Sequence, residues 1–162
     1  MLDLRFFAPQ SITEEARAAS VKFWLGESAM PPEIAAQRAS QVICHGMFDN
    51  QLIGIASGYV NVSESLKQPY FQYRTFISNA HRHKGHASKM LLRSFEGLSD
   101  FFCRQENPAA IGVLLEIPPT LAPLNDHLVW PETQFHFAGV ADGGSHLRVR
   151  YFEQVKMKGG KV

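Results

Sequence analysis

Residues 79–92 read NAHRHKGHASKMLL, a turn crowded with His, Arg, Lys and Gly that runs straight into the most helical segment of the chain. A helix N-terminus already carries about half a positive charge, so cations gathered there call for an anion. Small residues at Gly85 and Ala87 let a ligand approach the backbone closely, and the first helical amides have no intrahelical acceptor. Arg82 and Lys84 add charge in the same place. These features describe a cradle for a pyrophosphate. Neither the Walker spacing G-x-x-x-x-G-K-[ST] nor the dinucleotide fingerprint G-x-G-x-x-G is present.

The flanks of this stretch set its context. Before it, YFQYRTFIS (70–78) reads as a strand. After it, a helix is predicted from about Gly85 to Gln105, with Ala87, Leu91, Phe95, Leu98 and Phe102 on one face and Lys89, Arg93, Glu96, Asp100 and Arg104 on the other. Next, AAIGVLLEI (109–117) is nearly continuous in apolar residues, the pattern of a central strand covered on both faces, and it stops at Pro118-Pro119. Upstream, LDLRFF (2–7) reads as a strand, and SITEEARAASVKFWLGES (11–28) as a helix with Ser11 and Glu14 in capping-box spacing. PPEIAAQRAS (31–40) reads as a second, short helix. QVICHGMF and LIGIASGYVNV, joined by Asp49-Asn50-Gln51, read as a hairpin with Gly54, Ala56 and Gly58 on one face. That small-residue stripe suits a packed helix or a second copy of the chain, which leaves a homodimer open. Downstream of a weakly patterned segment, 120–133, Asp142-Gly143-Gly144 and the alternation of Leu147, Val149 and Tyr151 predict a terminal hairpin, and KMKGGKV (156–162) a frayed tail.

The order is strand, two helices, three strands, helix, strand, link and two strands. It predicts a mixed α/β (α+β) fold with helices on a central sheet and excludes a purely parallel doubly wound sheet. The 162 residues read as a single domain, 1–162, with no repeat or linker. With 16 Lys+Arg against 15 Asp+Glu there is no basic surplus for nucleic acid. Cys44 and Cys103 are far apart in apolar surroundings and read as buried free thiols in a reducing, cytoplasmic setting. The N-terminus, MLDLRFFAPQ, lacks the features of a signal peptide, and no run of ~18 apolar residues suggests a membrane span.

The stretch ISNAHRHKGHASKML resembles the coenzyme-A pyrophosphate loop of the GNAT superfamily of acyl-CoA N-acyltransferases, whose pattern [Q/R]-x-x-G-x-[G/A] falls between the fourth strand and third helix. Arg82, Gly85 and Ala87 match it. The likeness in element order covers roughly residues 2–153 and implies a GNAT-like fold, with a central mixed sheet of about six to seven strands flanked by helices and splayed between its fourth and fifth strands. It implies acetyl-CoA as co-substrate, and a primary amine that attacks the thioester directly. Phe76, Ile77 and Ser78 would run beside the pantetheine arm. The amides of His83, Lys84, Gly85, His86, Ala87 and Ser88 would hold the pyrophosphate, with Lys84 or Lys89 reaching the nucleotide's extra phosphate. Asn125 matches an Asn that many members place after the fifth strand to contact coenzyme A, or serves its loop.

Transfer from a thioester needs a neutral amine and a protonated leaving thiolate. Glu116, the one acid in an apolar strand, is the candidate base, because burial there would raise its pKa. A strand-end carboxylate that reaches solvent or pairs with an Arg is the other reading of it. Many family members carry Tyr-x-x-x-Gly-Phe after that strand, the Tyr acting as acid. Here WPETQF puts Trp130 at the Tyr position and Gln134 at the Gly, and Pro131 argues against a regular helix. This moves the role of acid to Tyr73 or a nearby His, or else marks a degenerate GNAT fold that binds acyl-CoA or a partner without catalysis. His81, His83 and His86 lack the Cys or carboxylate neighbours of a metal site, so no metal is expected. Arg148 and Arg150 alternate on one face of the last hairpin and read as solvated. The acceptor itself is not legible.

Overall fold

The computed structural model describes residues 1–121 and 127–153. Along the chain come β1 (Leu2–Phe6), α1 (Glu14–Gly26), α2 (Pro32–Arg38), β2 (Val42–Phe48), β3 (Gln51–Val62), β4 (Pro69–Ile77), α3 (His86–Cys103), β5 (Gly112–Ile117), β6 (His136–Val140) and β7 (His146–Tyr151). The strands form a seven-stranded mixed sheet in the order β1-β2-β3-β4-β5-β7-β6. Neighbours are antiparallel at β1/β2, β2/β3, β5/β7 and β6/β7, and parallel at β4/β5, where Phe71 faces Val113 and Gln72 faces Leu114. The element order and the mixed sheet are those expected from the sequence. The chain divides into two compact units, one of Met1–Gly58 and Arg74–Leu98, the other of Tyr59–Tyr73 and the chain from Ser99 onward.

In the first unit, α1 begins later than the capping box suggested. Thr13, not Ser11, is the N-cap, and its hydroxyl accepts the Ala16 amide at 3.1 Å. Ser11 instead closes a turn through its amide onto the Ala8 carbonyl, and Ile12 is buried, which delays the helix by two residues. With Trp24, Ala35, Ala39, Val42 and Ile55, Ile12 forms a core between α1, α2 and the sheet. The β2/β3 hairpin turns on Asp49 and Asn50, both with positive φ (48° and 65°), the requirement of a two-residue type I′ turn.

The small residues of β3 answer to α3. A Cβ on Gly54 would lie 2.9 Å from the Met90 sulfur and 2.6 Å from Ile77 Cδ1, so the helix packs onto a strand with no room for a side chain. The face α3 buries is nearly the one expected, with Met90, Leu91, Phe95, Leu98 and Phe102 inside. Ala87 is the exception: it is exposed, and His86 takes the buried position.

In the second unit, Tyr70, Leu114, Leu147 and Val149 form the core on one sheet face. The β6/β7 turn carries positive φ at Gly143 and Gly144, as Asp-Gly-Gly implied. The final hairpin departs from expectation at Arg148, which is not solvated but 1% exposed. β7 lies between β5 and β6, so both of its edges are paired, and the turn that holds Trp130 and Thr133 covers the face its arginines share. Cys44 and Cys103 are both free, the first buried and the second only half-buried. The expected tail, 156–162, lies outside the described residues. No helix among the described residues is long and apolar enough to cross a membrane.

Candidate functional site

The cradle is built where β4 gives way to α3. Strand β4 ends at Ile77, and the Ser78 amide makes a last bond to the Ile53 carbonyl at 2.7 Å. One 3-10 turn, Asn79–His81, follows, braced by the Ser78 hydroxyl and His81 Nδ1 at 2.9 Å. His83 and Gly85 then take positive φ, 64° and 79°, on either side of Lys84. That alternation turns successive amides toward a common concavity. A Cβ built on Gly85 would meet no heavy atom within 4 Å, so the space beside the turn is open. α3 starts at His86, and the Lys89 amide, bonded to the Gly85 carbonyl at 3.3 Å, is the first of its ladder. The amides before it belong to the turn whose donors α-helix geometry leaves unused.

The side chains sort differently from the backbone. Arg82 Nε donates to the Ile77 carbonyl at 2.9 Å, and its guanidinium carbon lies 5.1 Å from the centre of the Phe76 ring. Arg82 thus ties the turn to the end of β4, while Lys84 and Lys89 stay exposed. Ile77 and Ser78 are buried, and Phe76 packs edge-on against Phe23. His83 and Ala87 are exposed and Ser88 half-buried. His86 is 8% exposed, with its ring 5.7 Å from Phe48 and 6.4 Å from His81. Burial, followed by the charges of His81, Lys89 and Lys84, lowers its pKa below the usual histidine value. Phe48, at the end of β2, was not singled out in the sequence, because only tertiary packing brings it to the turn. Among the described residues no three His, Cys, Asp or Glu side chains are grouped to hold a metal ion. Asn125 lies outside the described residues.

The second unit holds a cleft of about 550 Å³ floored by Leu114 and Leu147. Glu64, Glu116 and Asp142 line it, and so does Lys67. None of these four charged side chains has an ion-pair partner among the described residues. Glu116 is exposed, so the burial expected of it is absent, and it pairs in register with Leu147. The side chain is a strand-end carboxylate facing the cleft, which is one of the two readings the sequence allowed. Tyr73 is 7% exposed, and strand alternation puts it with Phe71 on the sheet face opposite Gln72 and the cleft.

That opposite face carries the segment that replaces Tyr-x-x-x-Gly-Phe. It is a tight turn, as Pro131 implied: the Gln134 amide donates to the Trp130 carbonyl at 2.8 Å, and the Trp130 amide to the Phe135 carbonyl at 2.9 Å. Gln134 has φ 63°, a left-handed conformation that favours glycine. Arg150 Nη1 donates to the Thr133 carbonyl at 3.1 Å, and the Arg148 guanidinium donates to the carbonyls of His127 and Leu128 while covering Trp130. Alternation had shown both arginines on one face, but nothing local showed that this face would be covered.

No protein-family model matches the sequence, and no curated protein sequence does. Solved structures do match. Arabidopsis thaliana NAA60 in complex with acetyl-CoA superposes with a TM-score of 0.61 at 12% identity, over 93% of this chain and 98% of that one. The acetyltransferase of GNAT family from Streptococcus pneumoniae gives 0.56 at 13% identity, over 93% and 99%. The fold is that of the GNAT acetyltransferases. Aminoglycoside acetyltransferase AAC(6')-Ib, in complex with coenzyme A and kanamycin, shares this GNAT fold with a TM-score of 0.59 at 14% identity, over 95% and 96%.

Proposed function

We propose that this protein is an acyl-CoA-dependent N-acyltransferase, moving an acetyl or related acyl group from acyl-CoA to a primary amine. The observation that carries the reading is the turn from Arg82 to Ala87, where positive φ at His83 and Gly85 opens a row of amides at the start of α3. A diphosphate accepts several such bonds at once and complements the helix dipole. The solved relatives of this fold were captured with acetyl-CoA or coenzyme A, which supports the same ligand here. Phe76, Ile77 and Ser78 then flank the pantetheine arm, the amides from His83 to Ser88 hold the diphosphate, and Lys84 or Lys89 meets the remaining phosphate. Asn125 is a further proposed contact.

The acceptor amine enters the cleft of the second unit, where Glu64, Glu116 and Asp142 favour a cation. Glu116 takes a proton from the bound ammonium, the amine nitrogen forms a bond to the thioester carbon, and the C–S bond breaks as the tetrahedral intermediate collapses. Tyr73, on the other face, donates its phenolic proton to the departing thiolate. A non-catalytic acyl-CoA-binding domain is the second reading, favoured by Trp130, whose indole cannot serve as the acid that a Tyr there supplies.

Calorimetric titration of acetyl-CoA and coenzyme A into the protein and its Gly85→Glu variant tests the ligand. Saturable binding that the variant loses supports the reading, and absence of binding by the wild type overturns it. Release of free thiol in the presence of an amine panel then separates the enzyme from the binding domain.

A further inference from the structure

The cradle has a titratable floor that phosphate binding by amides does not require. His86 opens α3 with its ring turned inward, 8% exposed, against Phe48 and His81. His81 is itself 5.8 Å from Phe48 and holds the Ser78 hydroxyl through Nδ1. His86 Nδ1, in contrast, is buried with no hydrogen-bond partner among the described residues. Buried polar atoms are rarely left so, and an orphan of this kind asks what completes it.

The groups acting on His86 all disfavour its charged form: His81 in the 3-10 turn, Lys89 on α3 and Lys84 in the cradle. On the hairpin that supplies Phe48, the carboxylate of Asp49 is engaged by the Met1 ammonium at 3.1 Å. Arg82 is directed to the Ile77 carbonyl. The free protein therefore disfavours the charged form of His86. A diphosphate seated on the amides that begin at His83 reverses the sign of this field, and an imidazolium becomes the favoured form.

Resting on the coenzyme-A reading, we infer that His86 is a proton-linked floor of the cradle, which takes up a proton when a diphosphate ligand binds. By reciprocity, affinity strengthens as pH falls. The sign follows from the free state. His86 binds its proton less readily than an ordinary histidine in the empty protein and more readily once the ligand is present.

Dephospho-coenzyme A is the probe, because it keeps the diphosphate but lacks the phosphate monoester that would itself titrate. Its dissociation constant is measured by calorimetry from about pH 5.5 to about pH 8, in pairs of buffers with different ionisation enthalpy, and a shift of one pKa unit corresponds to roughly tenfold. The expected result is binding about three- to tenfold tighter at the acid end, with a buffer-dependent heat that reports proton uptake. His86→Phe, which keeps a ring against Phe48, and His81→Gln, which keeps a partner for Ser78, should each reduce the slope. Binding with no pH slope and no buffer dependence overturns the inference while leaving the coenzyme-A reading intact. A slope that survives in both variants overturns it as well. No binding of dephospho-coenzyme A or coenzyme A at any pH overturns both.

Discussion

The guanidinium of Arg148 lies over the indole of Trp130, its carbon 4.4 Å from the ring centre, and donates to the carbonyls of His127 and Leu128. A cation 1% exposed is thereby satisfied by a π face and by backbone acceptors. Trp130 is engaged in fixing a turn.

Arg148→Met should leave those carbonyls and the Trp130 face uncovered. A loss of about 2–4 kcal/mol in urea unfolding is expected, together with red-shifted Trp130 emission, since Trp24 is 2% exposed in the other unit. Arg148→Lys should recover less than half of it, because an ammonium has neither the plane nor the fork. A Lys variant as stable as the wild type would contradict the stacking account.

Gly97 lies on α3, where alanine would normally stabilise by up to ~1 kcal/mol. A Cβ there would sit 2.5 Å from two atoms of the Phe6 ring. Gly97→Ala should therefore destabilise the protein, by roughly 1–2 kcal/mol net of propensity. Adding Phe6→Leu should return part of the loss, a coupling that thermal melts of the four proteins in the cycle would measure.

Ser20 Oγ and His45 Nε2 are 2.7 Å apart, and both residues are buried. Burial first, then the Arg5 charge, pushes the His45 pKa down to about 4. The folded value lies below the unfolded one, so the unfolded chain binds more protons between the two. The stability contributed is fully present above about pH 6.5 and is lost as pH falls toward about 4. Urea midpoints should show about 2 kcal/mol less stability at pH 5 than at pH 7 from this group. His45→Gln, able to keep the Ser20 contact, should flatten that portion of the curve.

Glu116→Gln should lower kcat about a hundredfold with acetyl-CoA affinity unaltered. Tyr73→Phe should lower kcat by a comparable factor, again with acetyl-CoA affinity unaltered. If some amine is acetylated and neither change lowers its rate, both assignments fail even though the reaction class stands.

Much of the cradle was legible because it is local. Arg82, Gly85 and Ala87 fall within six residues, and the strand before and the helix after announce themselves by periods of 2 and 3.6. The Asp49-Asn50 and Asp142-Gly143-Gly144 turns were readable for the same reason, since positive φ is a property of single residues. The N-cap lies at Thr13 and not at the expected Ser11 because two overlapping hydroxyl signals compete, and the burial of Ile12 decides between them.

The sequence by itself determined the order of elements, the mixed sheet and the course of the turn proposed to hold an anion, all of which follow from nearest-neighbour chemistry and short-range periodicity. Only the tertiary structure decided which charged and polar groups are inside. Glu116, chosen for its apolar neighbours in sequence, is exposed at a cleft, while Arg148 and His86, in stretches that looked solvated, are buried. Burial is set by what packs across from a residue: β6 and the Trp130 turn beside Arg148, Phe48 beside His86. Those partners come from distant parts of the chain, and no window of sequence around either residue contains them.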